Sequence, residues 1–309
     1  MTTNLTAAIY HDEDAARAHF EAIRWADGRV CPHCGVIGNS TLMKGKTTRA
    51  GLYKCKDCRK PFTATMGTIY ERSHIPLHKW LLATQLMVSS KKGISAHQLF
   101  RMLNFGSYKT AWFMAHRIRD AMTTTDTDPL GGAGGFVEVD ETYIGRKKGV
   151  DAPKGGFRHK MRVVSLVCRD TGAVRSINSV TITGGEVATI VRNNVAREAT
   201  LMTDEARLYW AVGKEFASHQ KVMHAGGEYV RGTAHTNTIE GFFSIFKRGM
   251  RGIYQHCGEQ HLHRYLAEFD FRYTNRIANG VNDNQRATLA LQGVIGKRLT
   301  YQQTHRLAA

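Results

Sequence analysis

Phe136-Val137-Glu138-Val139-Asp140-Glu141-Thr142-Tyr143-Ile144 alternates with the two-residue period of a strand. Phe136, Glu138, Asp140 and Thr142 fall on one face and Val137, Val139 and Glu141 on the other. Aspartate is depleted in strands, and burying it among apolar neighbours is costly, so Asp140 is marked as a residue kept for its chemistry. Glu138 points to the same side, while Glu141 is expected to be solvated or salt-bridged. Downstream, residues 160–169 and 173–182 read as a hairpin turning at Asp170-Thr171-Gly172, residues 186–198 as a helix, and residues 199–203 as a short strand that delivers Asp204. Helix, strand and helix follow at residues 207–217, 221–223 and 238–249.

Three strands, a helix, a strand, a helix, a strand and a helix is the order of the ribonuclease-H-like α/β fold, a mixed sheet with flanking helices. In that architecture the first and fourth strands are neighbours, so Asp140 and Asp204 are expected to meet at one edge, with Glu240 carried over them by the later helix. Carboxylates suit Mg²⁺ (or Mn²⁺), a hard cation that takes oxygen ligands and keeps several waters. Two such ions about 3.5–4 Å apart activate an attacking oxygen and stabilise a leaving one in an in-line displacement. Lys247 follows Glu240 by seven residues, about two helical turns, so it shares that face and reaches a phosphate beside the metals. Asn237, three residues before Glu240, shares the face too, and either is a candidate for the third ligand. Taken singly, Asp204 reads equally well as a helix N-cap and Glu240 as a surface glutamate. It is the set, together with the element order, that points to catalysis.

Toward the amino terminus, Cys31-Pro32-His33-Cys34 and Cys55-Lys56-Asp57-Cys58 are separated by residues 35–54, the spacing at which two knuckles converge on one tetrahedral Zn²⁺. Gly35 supplies the permissive backbone such a turn needs, and residues 47–53 are expected to form short strands. His33 reads as a solvated loop residue. So small a ribbon cannot hold a core, so the metal contributes its folding energy. From residue 76 to 122 apolar residues recur at helical spacing in three segments, with Gly93-Ile94-Ser95 opening the second and Gly106-Ser107 the third. Their arrangement predicts a helix-turn-helix-like DNA-reading unit, with Lys109 and Arg117 on its third helix. Asp126 to Gly135 then loses all periodicity and reads as a linker.

The predicted organisation is a helical lead (1–30), a zinc ribbon (31–62), a helical region (63–124), a linker (125–135), a catalytic domain (136–257) and carboxy-terminal helices packed on that domain (258–309). Lysine and arginine number 43 against 26 acidic residues, a net charge of +17 and a pI near 9.8, which favours a polyanionic partner. No apolar run is long enough to span a bilayer and no secretory signal is visible, so a cytoplasmic protein without a membrane partner is expected. With no GxxxxGK[ST] loop, ATP-driven work is not indicated.

Val139-Asp140-Glu141-Thr142-Tyr143-Ile144-Gly145, Thr203-Asp204-Glu205 and His235-Thr236-Asn237-Thr238-Ile239-Glu240-Gly241-Phe242-Phe243-Ser244-Ile245-Phe246-Lys247-Arg248 together resemble the DDE transposases of bacterial insertion sequences, in the group with an amino-terminal zinc ribbon. The 35 residues between Asp204 and Glu240 match the gap of retroviral integrases, and the resemblance runs from the ribbon to about Arg276. It implies metal ligands at Asp140, Asp204 and Glu240 and a basic residue at Lys247. It also implies double-stranded DNA as partner, both element ends and target, and a homo-oligomer that holds the two ends together. Lys247 and Arg248 are expected to position phosphate, and Arg146, Lys147, Lys148 and Arg251 to contact the DNA backbone. Two other readings remain at this stage, a non-catalytic DNA-binding regulator and a nuclease of the same fold that cuts without joining.

Overall fold

A computed structural model describes residues 3–152 and 155–299, and the chain divides into two units. In the first, α1 (Glu13–Arg24) starts on Asp12, whose carboxylate accepts the Ala15 amide, and buries Ala16 and Phe20. An antiparallel ribbon follows, with β1 (Ser40–Leu42), β2 (Tyr53–Cys55) and β3 (Pro61–Phe62) in the order β1-β2-β3. Residues 47–52, expected as strand, form the turn between β1 and β2, where Gly51 takes a left-handed φ of 70°. Tyr53 and Phe62 stack at the heart of the ribbon, and Trp25 meets both edge-on.

Three helices then follow at the predicted spacing: α2 (Leu77–Ser89), α3 (Ala96–Met102) and α4 (Tyr108–Ala121), the last capped by the Ser107 hydroxyl on the Lys109 amide. α4 does not present the basic face the sequence suggested. His116, Arg117 and Arg119 are all buried.

The second unit is a five-stranded sheet of β4 (Phe136–Ile144), β5 (Met161–Cys168), β6 (Val174–Ser179), β7 (Thr200–Thr203) and β8 (Ser218–Lys221). Its order is β6-β5-β4-β7-β8, antiparallel through the hairpins and parallel from β4 to β8. β8 begins three residues before the predicted strand because its residues are polar, as an edge permits, and the apolar signal starts only at Val222. One face buries Val137, Val139, Val164, Leu166 and Leu201 beneath α5 (Gly184–Asn194) and α6 (Trp210–Gly213). The predicted helix at 207–217 is thus shorter, a 3-10 turn at Arg207–Tyr209 running into a single α-turn. After the small hairpin of β9 (Val230–Arg231) and β10 (Ala234–His235), α7 (Asn237–Gly249) and α8 (Leu262–Thr274) cover the other face. There Ile239, Phe242, Phe246, Leu266 and Phe269 pack on Ile144, Val163 and Val167. Covered on both sides, β5 reads as a nearly continuous apolar run.

Two expectations are corrected. The stretch read as a linker is partly docked. Leu130 is buried in the sheet's core, and Gly131, at φ 76°, lies so close that a Cβ would meet the Val137 side chain at 2.5 Å. The last helix, α9 (Asp283–Gln292), was expected on the catalytic domain with α8. It belongs to the first unit, packing on α1, α2 and α4 with Arg286 donating to the Val88 carbonyl at 2.9 Å. Its buried side chains, Arg286, Ala287, Ala290 and Leu291, suit a close helix-helix contact, but their pattern does not name the partner. Residues 300–309 of the predicted carboxy-terminal segment lie outside the described residues. No helix among those described is long and apolar enough to cross a membrane.

Candidate active site

β4 and β7 pair in parallel with Phe136 opposite Thr200, Val137 opposite Leu201 and Glu138 opposite Met202. Continued two residues, that register sets Asp140 opposite Asp204, where the β4–β7 pairing has ended while Asp140 still pairs with Ser165 of β5. Asp140 Oδ1 accepts the Glu141 amide at 2.7 Å, and Asp204 Oδ1 accepts the Ala206 amide at 3.0 Å as the chain turns away from β7. From the other side, α7 brings Asn237 and Glu240 in its first turn and Lys247 in its last. Glu240 is exposed, and its Oε1 accepts the Thr236 hydroxyl at 2.9 Å with His224 Nε2 at 3.7 Å.

These groups share one electrostatic environment. Burial pushes the Asp140 carboxyl up to about 8, with further upward pressure from Glu141, Asp204 and Glu240. Asp204 is raised by burial and by Glu205 beside it. Lys247 is lowered by burial, against the pull of Asp140, with Arg251 and Lys160 adding to the lowering. An aspartate buried beside acids that raise it further is short of positive charge, which hard cations supply. The donor set is all oxygen and open to solvent on the Glu240 side, so it fits divalent ions that keep waters and accept a phosphate. As a trio, the acids do not draw their oxygens within 4.8 Å of one another.

One participant was missed, and a second, Glu138, was read on the Asp140 face but without its partners. Glu141, expected in solvent or a salt bridge, accepts the hydroxyl of the fully buried Tyr209 at 2.5 Å, and burial raises its carboxyl. Its partner lies 68 residues downstream, too far for any local pattern to show. Glu138 is wholly buried and engages Arg169, His235 and the start of α7.

The basic residues divide. Lys109, Arg146, Lys148, Arg248 and Arg251 are exposed, though Arg146 lies 3.8 Å from Asp151 and Arg248 bonds Ser244. Lys147 is mostly covered and pairs with Glu259 at 2.8 Å. Arg117, expected on a DNA-reading face, is 8% exposed and donates to the carbonyls of Glu71 and Leu299, with its guanidinium near the Trp80 and Phe113 rings. Its charge is spent on the interior. Beside the exposed cations, Phe157 is half exposed, stacked on Tyr143 at 4.6 Å between centroids and lying under the Lys160 ammonium.

The ribbon brings together a cluster of metal-ligating residues of a different kind. All four sulfurs, Cys31, Cys34, Cys55 and Cys58, lie within 4.8 Å of one another, and the Cys31–Cys58 and Cys34–Cys55 pairs are each 3.7 Å apart. A tetrahedron with Zn–S bonds of about 2.3 Å has edges of about 3.8 Å, so the thiolates fit structural Zn²⁺. His33 is exposed and contacts the Pro61 carbonyl, outside the ligand set. Both knuckles turn through a left-handed residue, Gly35 at φ 77° and Arg59 at φ 59°.

Residues 132–274 match the ISXO2-like transposase domain, and residues 11–61 match the transposase zinc-ribbon domain. The latter begins within the predicted helical lead and takes in α1, whose Glu21 accepts the Tyr53 hydroxyl of β2. A Halobacterium salinarum protein described as an uncharacterized protein in transposable element ISH50 is 29% identical over 268 residues, spanning 81% of this chain and 87% of its own. Among solved structures, a simian T-cell lymphotropic virus intasome in complex with PP2A regulatory subunit B56 gamma aligns at 14% identity and a TM-score of 0.31. The alignment covers 56% of this chain and 63% of that one.

Proposed function

Because the chain belongs to the insertion-sequence transposases with an ISXO2-like domain behind a zinc ribbon, we propose that it binds the ends of its element and catalyses DNA cleavage and strand transfer at Asp140, Asp204 and Glu240. What supports this reading is the β4–β7 register that sets Asp140 toward Asp204, with the Asp140 carboxyl raised by burial and by Glu141, Asp204 and Glu240, and Lys247 in its electrostatic reach. Two Mg²⁺ (or Mn²⁺) ions, when bound, activate the attacking oxygen and stabilise the leaving one.

The chain's own groups hold and orient. Asp140 and Asp204 face the same space from adjacent strands, and Glu240 or Asn237 completes the set from α7. Lys247 binds a phosphate oxygen there and Arg248 holds the neighbouring phosphate. In the first step water attacks phosphorus at the element end, the P–O3′ bond breaks, and a 3′-hydroxyl is left. In the second that hydroxyl attacks a target phosphate and a target 3′-oxygen leaves, so one phosphodiester is exchanged for another. Arg146, Lys148 and Arg251 contact DNA backbone, and the helical region with Lys109 reads the ends. An oligomer holds both ends together.

A strand-transfer assay with purified protein, Mg²⁺ and the flanking end sequences tests the reading beside Asp140→Asn, Glu240→Gln and Asn237→Ala. Joined products that vanish with Asp140→Asn and Glu240→Gln support it with Glu240 as third ligand. Loss with Asn237→Ala alone moves that role to Asn237. Specific binding without cutting would overturn the reading in favour of a regulator, and cutting without joining in favour of a nuclease.

A further inference from the structure

Glu138 lies on β4 two residues before Asp140, and its carboxylate is completely buried. A buried carboxylate is tolerated only when its oxygens are engaged, and here both are. Oε1 accepts the Arg169 Nε–H at 2.5 Å with His235 Nδ1 at 3.4 Å, and Oε2 accepts the Ile239 amide at 2.8 Å. The Arg169 guanidinium then reaches the Thr233 and His235 carbonyls at 2.7 and 2.5 Å, fixing the segment that leads into α7.

Ile239 sits in the first turn of α7, where amides have no partner inside the helix. A threonine just before a helix ordinarily fills that need with its own hydroxyl. Thr236 occupies that position but makes no such bond, and its buried hydroxyl donates to Glu240 Oε1 at 2.9 Å instead. The cap has passed from Thr236 to Glu138, and the freed hydroxyl aims Glu240.

We propose that Glu138 is a positioning residue that caps α7 from the strand bearing Asp140 and thereby releases Thr236 to orient the third acid. One hydrogen bond thus fixes the spacing between the two elements that supply the ligands. The proposal rests on Glu240 serving as a metal ligand.

Mn²⁺ titration by calorimetry of the protein with its zinc ribbon loaded and no other divalent ion present, joined to hydrogen exchange of the segment 237–242, tests it with Glu138→Gln, Glu138→Ala, Thr236→Val and Thr236→Ser. Asp140→Asn serves as the control for the metal site. Loss of either engaged partner should weaken Mn²⁺ binding by about tenfold, the size of a charge-assisted hydrogen bond. Glu138→Ala should also speed exchange at the start of α7, Thr236→Val should weaken the metal with exchange unchanged, and Thr236→Ser should restore it. A Glu138→Ala protein that loses thermal stability but binds Mn²⁺ as the parent does would overturn the proposal. If Glu138→Ala does not fold, parent-like binding by both Glu138→Gln and Thr236→Val overturns it equally. Mn²⁺ binding unaffected by Asp140→Asn would instead sink the underlying active-site reading.

Discussion

The chain carries a thiolate cluster that fits zinc and an acidic cluster proposed to take divalent ions, and the two are prepared in opposite ways. In the ribbon four thiolates already stand at tetrahedral spacing, around a core of Cys31, Tyr53, Cys55 and Phe62 too small to fold by itself. In the sheet the acids stand apart on a scaffold held by apolar cores on both faces, and Asp140 is raised by burial and by the acids around it. Soft ligands in a closed shell make the ion part of the fold. Hard ligands in an open cluster leave the fold independent of the ion and in tension without it.

Removing zinc should give the largest effect. Chelation, or Cys55→Ser, should unfold the ribbon, because structural zinc contributes about 10–16 kcal/mol in comparable small domains. Loss of tertiary circular dichroism from Trp25 and Tyr53 together with stoichiometric zinc release would be the readout. A ribbon that keeps its signal without zinc breaks the contrast.

In the sheet the sign should reverse. Asp140 has a folded-state value of about 8, above its ordinary 3.8, so the folded form holds the extra proton between those values. Its contribution to stability is therefore present at low pH and lost as pH rises from about 4 to about 8. Asp140→Asn should abolish joining in Mg²⁺, yet with zinc retained and no Mg²⁺ or Mn²⁺ it should raise the melting temperature by roughly a few degrees at pH 8, and by little at pH 4. Mg²⁺ should stabilise the parent more at the higher pH. A destabilised Asp140→Asn protein at pH 8 would mean the carboxylate is compensated from within the fold.

Smallest should be the effect of the exposed cations. Neutralising Arg146, Lys148 or Arg251 should weaken DNA binding across all sequences and reduce the slope of log affinity against log salt by about 0.9 per lost phosphate contact. Arg117→Ala should instead lower stability and leave that slope unchanged, since its guanidinium serves the Glu71 and Leu299 carbonyls. A salt-insensitive binding curve for the parent would remove the electrostatic account altogether.

Much of this was legible in local pattern. The alternation of residues 136–144 assigned β4 and its faces, and the order of elements placed β4 beside β7, so that the register carries Asp140 and Asp204 on neighbouring strands. The two CxxC turns announced the metal ribbon. What escaped were contacts made across long stretches of chain by residues whose type misleads. Arg117 looks like a surface cation, yet carbonyls 46 residues before it and 182 residues after it draw it inward. Glu141 was expected in solvent or a salt bridge, but Tyr209 meets it on the face it shares with Val137 and Val139. The short polar strand β8 and the partner of α9 are settled by what packs against them, which no period in the sequence encodes.

The two knuckle turns differ in the residue that makes them. Gly35 adopts its left-handed backbone freely, whereas Arg59 does so against its Cβ, at a cost of about 1–2 kcal/mol. Arg59 is exposed and stands among Lys54, Lys56 and Lys60, so what the turn gives up in conformational ease it gains in positive potential at the rim of the zinc site. A clip whose sole task was to fasten the chain would have no use for that exchange. A surface that must meet phosphate would.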